Sequence, residues 1–149
     1  MTAPERQTSA ATIDPSRWVL LSAVLDAVLV ILFTVIGRVS HHEGLGFGGV
    51  VQTAWPFLAG TLLGWLVTAA WRRPLALVRS GLPIWVLTVA VGMVLRVVSA
   101  QGIAFSFVIV AAVVLGVFLL GWRAVVGPVA RRSARATSRP RQSPVQRRR

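Results

Sequence analysis

The stretch WVLLSAVLDAVLVILFTVI, residues 18–36, is apolar at every position except Ser22, Asp26 and Thr34. An α-helix of this length crosses a membrane, because it rises about 1.5 Å per residue and the hydrocarbon core is roughly 30 Å thick. A cleaved signal peptide is typified by a basic start, a shorter apolar stretch and a small-residue cleavage site. Asp26 in the middle of the stretch does not fit that pattern, so we expect a retained membrane-spanning helix.

Three more segments share this apolar character, and the chain of 149 residues is 55% hydrophobic overall. The predicted spans are residues 18–36, 50–71, 82–98 and 103–120. Pro56 and Pro83 lie near the starts of the second and third spans, where a helix leaves its first N–H groups unpaired anyway. Short connections force neighbouring helices to be antiparallel. The sequence therefore predicts an all-α integral membrane protein whose four transmembrane helices form two antiparallel hairpins in a compact bundle.

The two ends of the chain are polar and lie outside this domain. We expect residues 1–17 to be a cytoplasmic tail, residues 18–127 to be the membrane domain and residues 128–149 to be a disordered basic tail, because Arg, Pro, Ser and Gln dominate there. Anionic lipid headgroups are the expected partner of this basic tail. Nucleic acid is not expected, because the tail has no aromatic side chain for base stacking. The alternative is that the tail only fixes the topology.

Arginine is distributed unevenly among the connections, and this distribution predicts the orientation. Fourteen of the sixteen basic residues lie in the two tails and in the middle connection, whereas only Arg38 and Arg96 lie in or beside the other two connections. Basic residues are retained in the cytoplasm during insertion. We therefore expect a multi-pass protein of the plasma membrane with both termini cytoplasmic. The tryptophans expected at the two membrane interfaces are Trp18, Trp71, Trp85 and Trp122 on the inner side and Trp55 on the outer side.

Asp26 is an acidic residue inside a predicted span, which costs about 2.5 to 3.5 kcal/mol on insertion scales. This cost favours a positively charged partner for Asp26. The rise of each helix and the tilt of side chains toward the helix N-terminus place Arg96, in the third span, within reach of Asp26. An intramembrane charge pair between Asp26 and Arg96 is therefore one prediction. The alternative is that Arg96 extends to the outer headgroups and Asp26 is protonated. An unpaired Asp26 would be a candidate proton or cation site.

A polar cluster lies in the predicted outer loop between the first two spans, at Arg38, His41, His42 and Glu43. Adjacent histidine side chains diverge, and known zinc motifs separate their ligands by more residues. We therefore predict a solvated loop without a metal. The chain also has no Cys, and no cofactor is expected.

Small residues on the later helices indicate where helices pack, because they let backbones approach closely. The predicted packing positions are Gly60, Gly64, Gly92 and Gly116. Whether these faces contact another part of the same chain or a second copy is left open. A homo-oligomer is therefore an open expectation.

A weak internal similarity relates the two predicted hairpins. Residues 29–44 laid on residues 87–102 align Arg38 with Arg96, and a glycine follows each arginine at the same distance. A duplicated hairpin would produce this similarity, and so would chance, because apolar helices resemble one another.

A set of spaced residues also carries a family resemblance. These residues are Asp26, Phe33, Gly37, Arg38, Ser40, His41, the stretch from Thr53 to Phe57, Gly92 and Arg96. In this pattern the chain resembles the bacterial and archaeal membrane family catalogued as domain of unknown function 3054, over residues 18–125. The resemblance implies a four-span membrane protein with no assigned activity.

Two classes of function remain at this point. One is a noncatalytic scaffold or lipid-associated membrane protein of otherwise unknown activity. The other is a small oligomeric transporter or channel component that uses Asp26 as an intramembrane proton or cation site. An enzyme is not expected, because Asp26 is deep in the membrane, His41 and His42 are at the outer face, and no nucleophile motif connects them.

Overall fold

The computed structural model describes residues 15–137, and every regular element in this part of the chain is helical. The four long helices are α1 (Pro15–Ser40), α2 (Phe47–Thr68), α3 (Leu82–Val98) and α4 (Phe105–Thr137). A 3-10 turn at Ala70–Arg72 and a π-helical turn at Leu77–Gly81 connect α2 to α3. Helices α1, α2 and α4 are long and apolar enough to cross a membrane, and α3 is so together with the π-helical turn that precedes it, over Leu77–Val98. The predicted all-helical fold with four candidate spans is therefore confirmed.

The position of Pro56 differs from the prediction. Helix α2 begins at Phe47, so Pro56 lies inside the helix and not in its first turn. Proline has no N–H to donate to the carbonyl of Gln52 one turn earlier. Such interruptions are tolerated in membrane helices when neighbouring helices cover them. Pro56 is fully buried, which fits that condition.

The end of α4 also differs from the prediction, because the helix continues through Pro128 to Thr137. The predicted span ended at residue 120, and the predicted disordered tail began at residue 128. Both boundaries were wrong, because α4 continues past residue 120 and the described residues 128–137 are helical. Alanine and arginine, which make up most of residues 128–137, have high helix propensities, and one proline removes only one helical hydrogen bond. Residues 138–149 of the predicted tail and residues 1–14 lie outside the described residues.

The core lies between the helices and is mostly apolar, but Asp26, Arg123 and several Ser and Thr side chains are buried in it as well. Each helix contacts the next along the chain, and α1 also contacts α4. Phe33 and Phe57 pack edge to face, with ring centroids 5.4 Å apart, and Phe107 lies beside both rings. Large apolar side chains also cover the outward faces of all four helices. This surface needs an apolar solvent, as the predicted membrane location requires.

Helices α2 and α3 approach each other closely at two glycines. A Cβ atom on Gly60 would lie 2.7 Å from the carbonyl oxygen of Leu87, and one on Gly64 would lie 2.8 Å from the Cα atom of Ile84. Both atoms belong to the backbone of α3, so neither can move without moving the helix. The structure thus places these two predicted packing residues at a contact within the chain.

The other two predicted packing glycines face aromatic rings. A Cβ atom on Gly92 would lie 2.5 Å from the ring of Phe57, and one on Gly116 would lie 3.2 Å from the indole nitrogen of Trp85. The Trp85 indole donates to the carbonyl of Ala112 at 2.9 Å. Trp85 therefore ties α3 to α4, and its polar atom is not free for the membrane interface at which it was predicted.

Candidate functional site: a buried charge cluster and a polar cavity

Asp26 lies on the buried face of α1 and accepts four hydrogen bonds. Arg123 donates from Nη1 to Oδ1 at 2.7 Å and from Nη2 to Oδ2 at 2.6 Å. The indole nitrogens of Trp65 and Trp122 donate to Oδ2 at 2.8 Å and to Oδ1 at 3.0 Å. We call Asp26, Trp65, Trp122 and Arg123 the charge cluster. Each carboxylate oxygen thus has one guanidinium donor and one indole donor.

Arg123 is the donor that connects this cluster to the rest of the bundle. Its Nη1 also donates to the carbonyl of Leu119 at 2.8 Å, and its Nε donates to the carbonyl of Pro74 at 3.1 Å. Its guanidinium lies 4.4 Å from the ring centroid of Trp122. The side chains of Arg123 and Asp26 are both 0% exposed. Arg123 therefore joins α1, α4 and the connection between α2 and α3 without contact with solvent.

The predicted charge pair correctly included Asp26, but the arginine that pairs with it is Arg123 and not Arg96. Arg96 donates to the Oε1 atom of Gln101 at 3.0 Å, and its guanidinium lies 4.7 Å from the ring centroid of Phe107. It lies at the far end of α3, whereas Arg123 lies at the level of Asp26. The error follows from the predicted end of the fourth span. A span that stops at residue 120 leaves Arg123 in the cytoplasm, whereas α4 continues past it.

The sequence nevertheless contained a signal for Arg123. Buried positions of α4 follow one another at a spacing of four residues, in the order Ala111, Leu115, Leu119 and Arg123. This spacing places all of them on one face of a helix. Trp65 was not singled out from the sequence at all, and Trp122 was predicted at the membrane interface. Both indoles instead donate to the carboxylate.

A polar cavity of about 420 Å³ lies at the opposite end of the bundle. The side chains that line it and can carry charge or hydrogen bonds include Arg38, His41, Glu43, Thr53, Arg96 and Gln101. Three members of the predicted outer-loop cluster are therefore at the cavity, whereas His42 does not line it. The structure adds Arg96 from the last turn of α3 and Gln101 from the connection between α3 and α4.

Arg38 is held firmly in the wall of this cavity. Its Nε and Nη2 donate to the carbonyl of Gly44 at 3.0 and 2.7 Å, and its Nη1 donates to the hydroxyl of Thr53 at 2.9 Å. Its Nη1 also forms an ion pair with Glu43 at 2.7 Å. Within residues 15–137, no group of three potential metal-ligating side chains is close enough to hold a metal ion.

The ends of α1 and α3 have the same turn. His42 adopts a left-handed conformation with φ 55°, and Ala100 does so with φ 56°. The next backbone N–H donates to the carbonyl of Arg38 in the first turn and to that of Arg96 in the second, at 2.9 Å in both. The aligned positions of the weak internal similarity thus share a local geometry, although a left-handed residue also follows α2, at Ala69.

Comparisons with known proteins identify the family and nothing further. The family model described as "Protein of unknown function (DUF3054)" matches residues 23–126. This match covers most of the chain and confirms the predicted family. No curated protein and no solved structure matches the chain.

Proposed function

Since the chain belongs to the DUF3054 family of proteins of unknown function, its role has to be inferred from geometry, and we propose that it is a noncatalytic, lipid-associated scaffold protein of the plasma membrane. In this proposal the four helices form two antiparallel hairpins, and the charge cluster holds them together at the cytoplasmic end. Anionic headgroups bind to exposed arginines at that same end.

The distribution of exposed charge carries this proposal. Five exposed arginines surround the end of the bundle that holds the charge cluster, and we call them the basic collar: Arg17, Arg72, Arg73, Arg79 and Arg132. Among the described residues, the two acidic side chains are Asp26, which is buried against Arg123, and Glu43, which is at the opposite end. Each basic side chain near an anionic leaflet stabilises membrane association by about 1 kcal/mol. The collar therefore suits the anionic inner surface of a plasma membrane, which agrees with the expected orientation.

The geometry of Asp26 argues against the transport alternative. A proton or cation site has to exchange its cargo with water, but Asp26 is fully buried and its two oxygens are each occupied by two donors. Cargo would have to displace Arg123, which would leave a buried guanidinium without its counterion. We therefore assign Asp26 to helix packing. We also propose no catalysis, because the structure does not bring His41 at the cavity together with Asp26.

The collar predicts selective retention of anionic lipid. The variant with Arg72→Gln, Arg73→Gln and Arg79→Gln should lose about 1 kcal/mol of lipid association per arginine, because each neutral side chain loses its attraction to the headgroups. Native mass spectrometry of protein released from nanodiscs would count the bound phosphatidylglycerol and phosphatidylcholine. The same three positions changed to Lys keep the charge and serve as the control. Equal retention of phosphatidylglycerol by the wild type and the Gln variant would show that the basic collar does not bind anionic lipid.

The expected orientation can be tested with single cysteines, because the chain has none of its own. His42 and Arg79 are exposed at opposite ends of the bundle. In intact cells, a membrane-impermeant maleimide should label His42→Cys, whereas Arg79→Cys should be labelled only after permeabilisation. The reverse labelling pattern would contradict cytoplasmic termini.

A further inference from the structure

We propose that the polar cavity is a binding site for a singly charged oxyanion, held between Arg38 and Arg96. The site lies at the opposite end of the bundle from the basic collar, and the inference does not depend on the proposed scaffold role.

The charges around the cavity do not balance. Glu43 forms an ion pair with Arg38 and acts on Arg96 only at longer range, so Arg96 has no ion-pair partner within residues 15–137. The Nη1 atom of Arg96 donates to Gln101 at 3.0 Å, and its Nη2 lies 3.4 Å from the carbonyl oxygens of Gln101 and Gly102, which is beyond good hydrogen-bond length. The Nε atom of Arg96 is buried without a hydrogen-bond partner. One positive charge is therefore left at the cavity without an ion-pair partner.

The matched turns explain how this imbalance arises. Glu43 and Gln101 occupy the same position in the two turns, directly after the left-handed residue, and each contacts the arginine of its own turn. The carboxylate neutralises Arg38, whereas the amide of Gln101 accepts a hydrogen bond from Arg96 without cancelling its charge. Two equivalent turns thus deliver two guanidinium groups to one cavity with a single counterion between them.

The lining of the cavity indicates the chemistry of the ligand. A guanidinium fork matches a group that presents two oxygens, such as a carboxylate or a phosphodiester. The rings of Phe33 and Phe107 and the side chain of Ala104 provide an apolar wall. The volume of about 420 Å³ lies within the usual range of small-molecule pockets. The fitting ligand is a singly charged oxyanion on a small apolar body, which could be a dissolved solute or the headgroup of a lipid.

The test is the thermal unfolding of the full chain in uncharged detergent, with chloride at equal ionic strength as the reference. The soluble probes are propionate and dimethyl phosphate, and the lipid arm compares phosphatidylglycerol with phosphatidylcholine. A bound ligand raises the midpoint of unfolding as its concentration increases. Stabilisation by the soluble probes would identify a dissolved oxyanion. Stabilisation by phosphatidylglycerol alone would identify a lipid headgroup at the cavity if Arg96→Gln loses it, whereas stabilisation that Arg96→Gln retains would belong to the basic collar and overturn the site. Either identification supports the site, whereas no stabilisation beyond chloride in both arms would overturn it.

Two cavity variants and one control separate this site from other anion effects. Arg96→Gln should weaken binding roughly ten-fold or more, because it removes a charged donor. Glu43→Gln should tighten binding roughly five-fold, because it removes the competing negative charge. Arg79→Gln, which changes the basic collar instead, should bind the soluble probes like the wild type.

The Glu43→Gln variant keeps the proposal testable if Arg96→Gln does not fold. Glu43 is about half exposed, and its amide substitute can still accept a hydrogen bond from Arg38. A purely structural role for the two arginines would give no gain in affinity. Unchanged or weaker binding by Glu43→Gln would overturn the site, as would wild-type affinity in Arg96→Gln.

Discussion

Replacing Arg123 with Met should lower the free energy of unfolding by about 3 to 5 kcal/mol, because it leaves the Asp26 carboxylate buried without its charged partner. Two indole donors would remain on Asp26, but neither carries a charge. Denaturant titration in mixed micelles, followed by tryptophan fluorescence, would measure the loss. Trp65 and Trp122 contact Asp26 directly and would report the local change.

The control for this variant is Arg79→Met, which removes an exposed arginine from the same end of the bundle. Its free energy of unfolding should remain within about 0.5 kcal/mol of the wild-type value, because exposed substitutions without special contacts have small effects. If Arg123→Met proved as stable as Arg79→Met, the charge cluster would not hold the helices together.

The second large effect is expected at Gly60. Gly60→Ala places a methyl group 2.7 Å from the carbonyl oxygen of Leu87 and 2.9 Å from the Cα atom of Thr88. The two helices must separate to admit it, which also strains the 3.0 Å hydrogen bond between the hydroxyls of Thr61 and Thr88. Overpacking of this kind costs about 1 to 3 kcal/mol, and backbone on the opposing side favours the upper part of that range.

Gly121→Ala is the matched control for Gly60→Ala, because a Cβ atom at Gly121 in α4 has no neighbour within 4 Å. This variant should be about 0.5 to 1 kcal/mol more stable than the wild type, since alanine is the better helix former. The same change thus has opposite signs at the two positions. Equal effects of both substitutions on the unfolding midpoint would show that α2 and α3 are not in close contact.

Much of the fold could be predicted because the bilayer imposes a minimum length on each apolar segment. The bounds of α3 agree with the prediction, since Pro83 marks its start and polar residues follow its end. The end of α4 could not be found in this way. An arginine after a long apolar run is typical of a water-exposed tail, and its four-residue spacing from Leu119 was the one sign that Arg123 lies on the buried face of α4.

The candidate site was predicted in part, for the same physical reasons. The cost of a carboxylate in a membrane correctly singled out Asp26 as needing compensation. The partner of Asp26 depends on which helix faces pack together at the same depth in the membrane. The composition of the chain does not specify that packing. At the cavity, Arg38, His41 and Glu43 are close in the sequence. Arg96 is distant in the sequence, and it joins them at the turn after α3, which has the same geometry as the turn after α1.

The central claim, that Asp26 is bound to Arg123, is tested most directly by comparing two double-mutant cycles. The coupling free energy between Asp26→Asn and Arg123→Met should be about 2 to 3 kcal/mol, because these side chains share two hydrogen bonds and opposite charges. The coupling between Asp26→Asn and Arg96→Met should be close to zero, because these residues belong to opposite ends of the bundle. Additive effects in the first cycle, or a larger coupling in the second, would contradict the account.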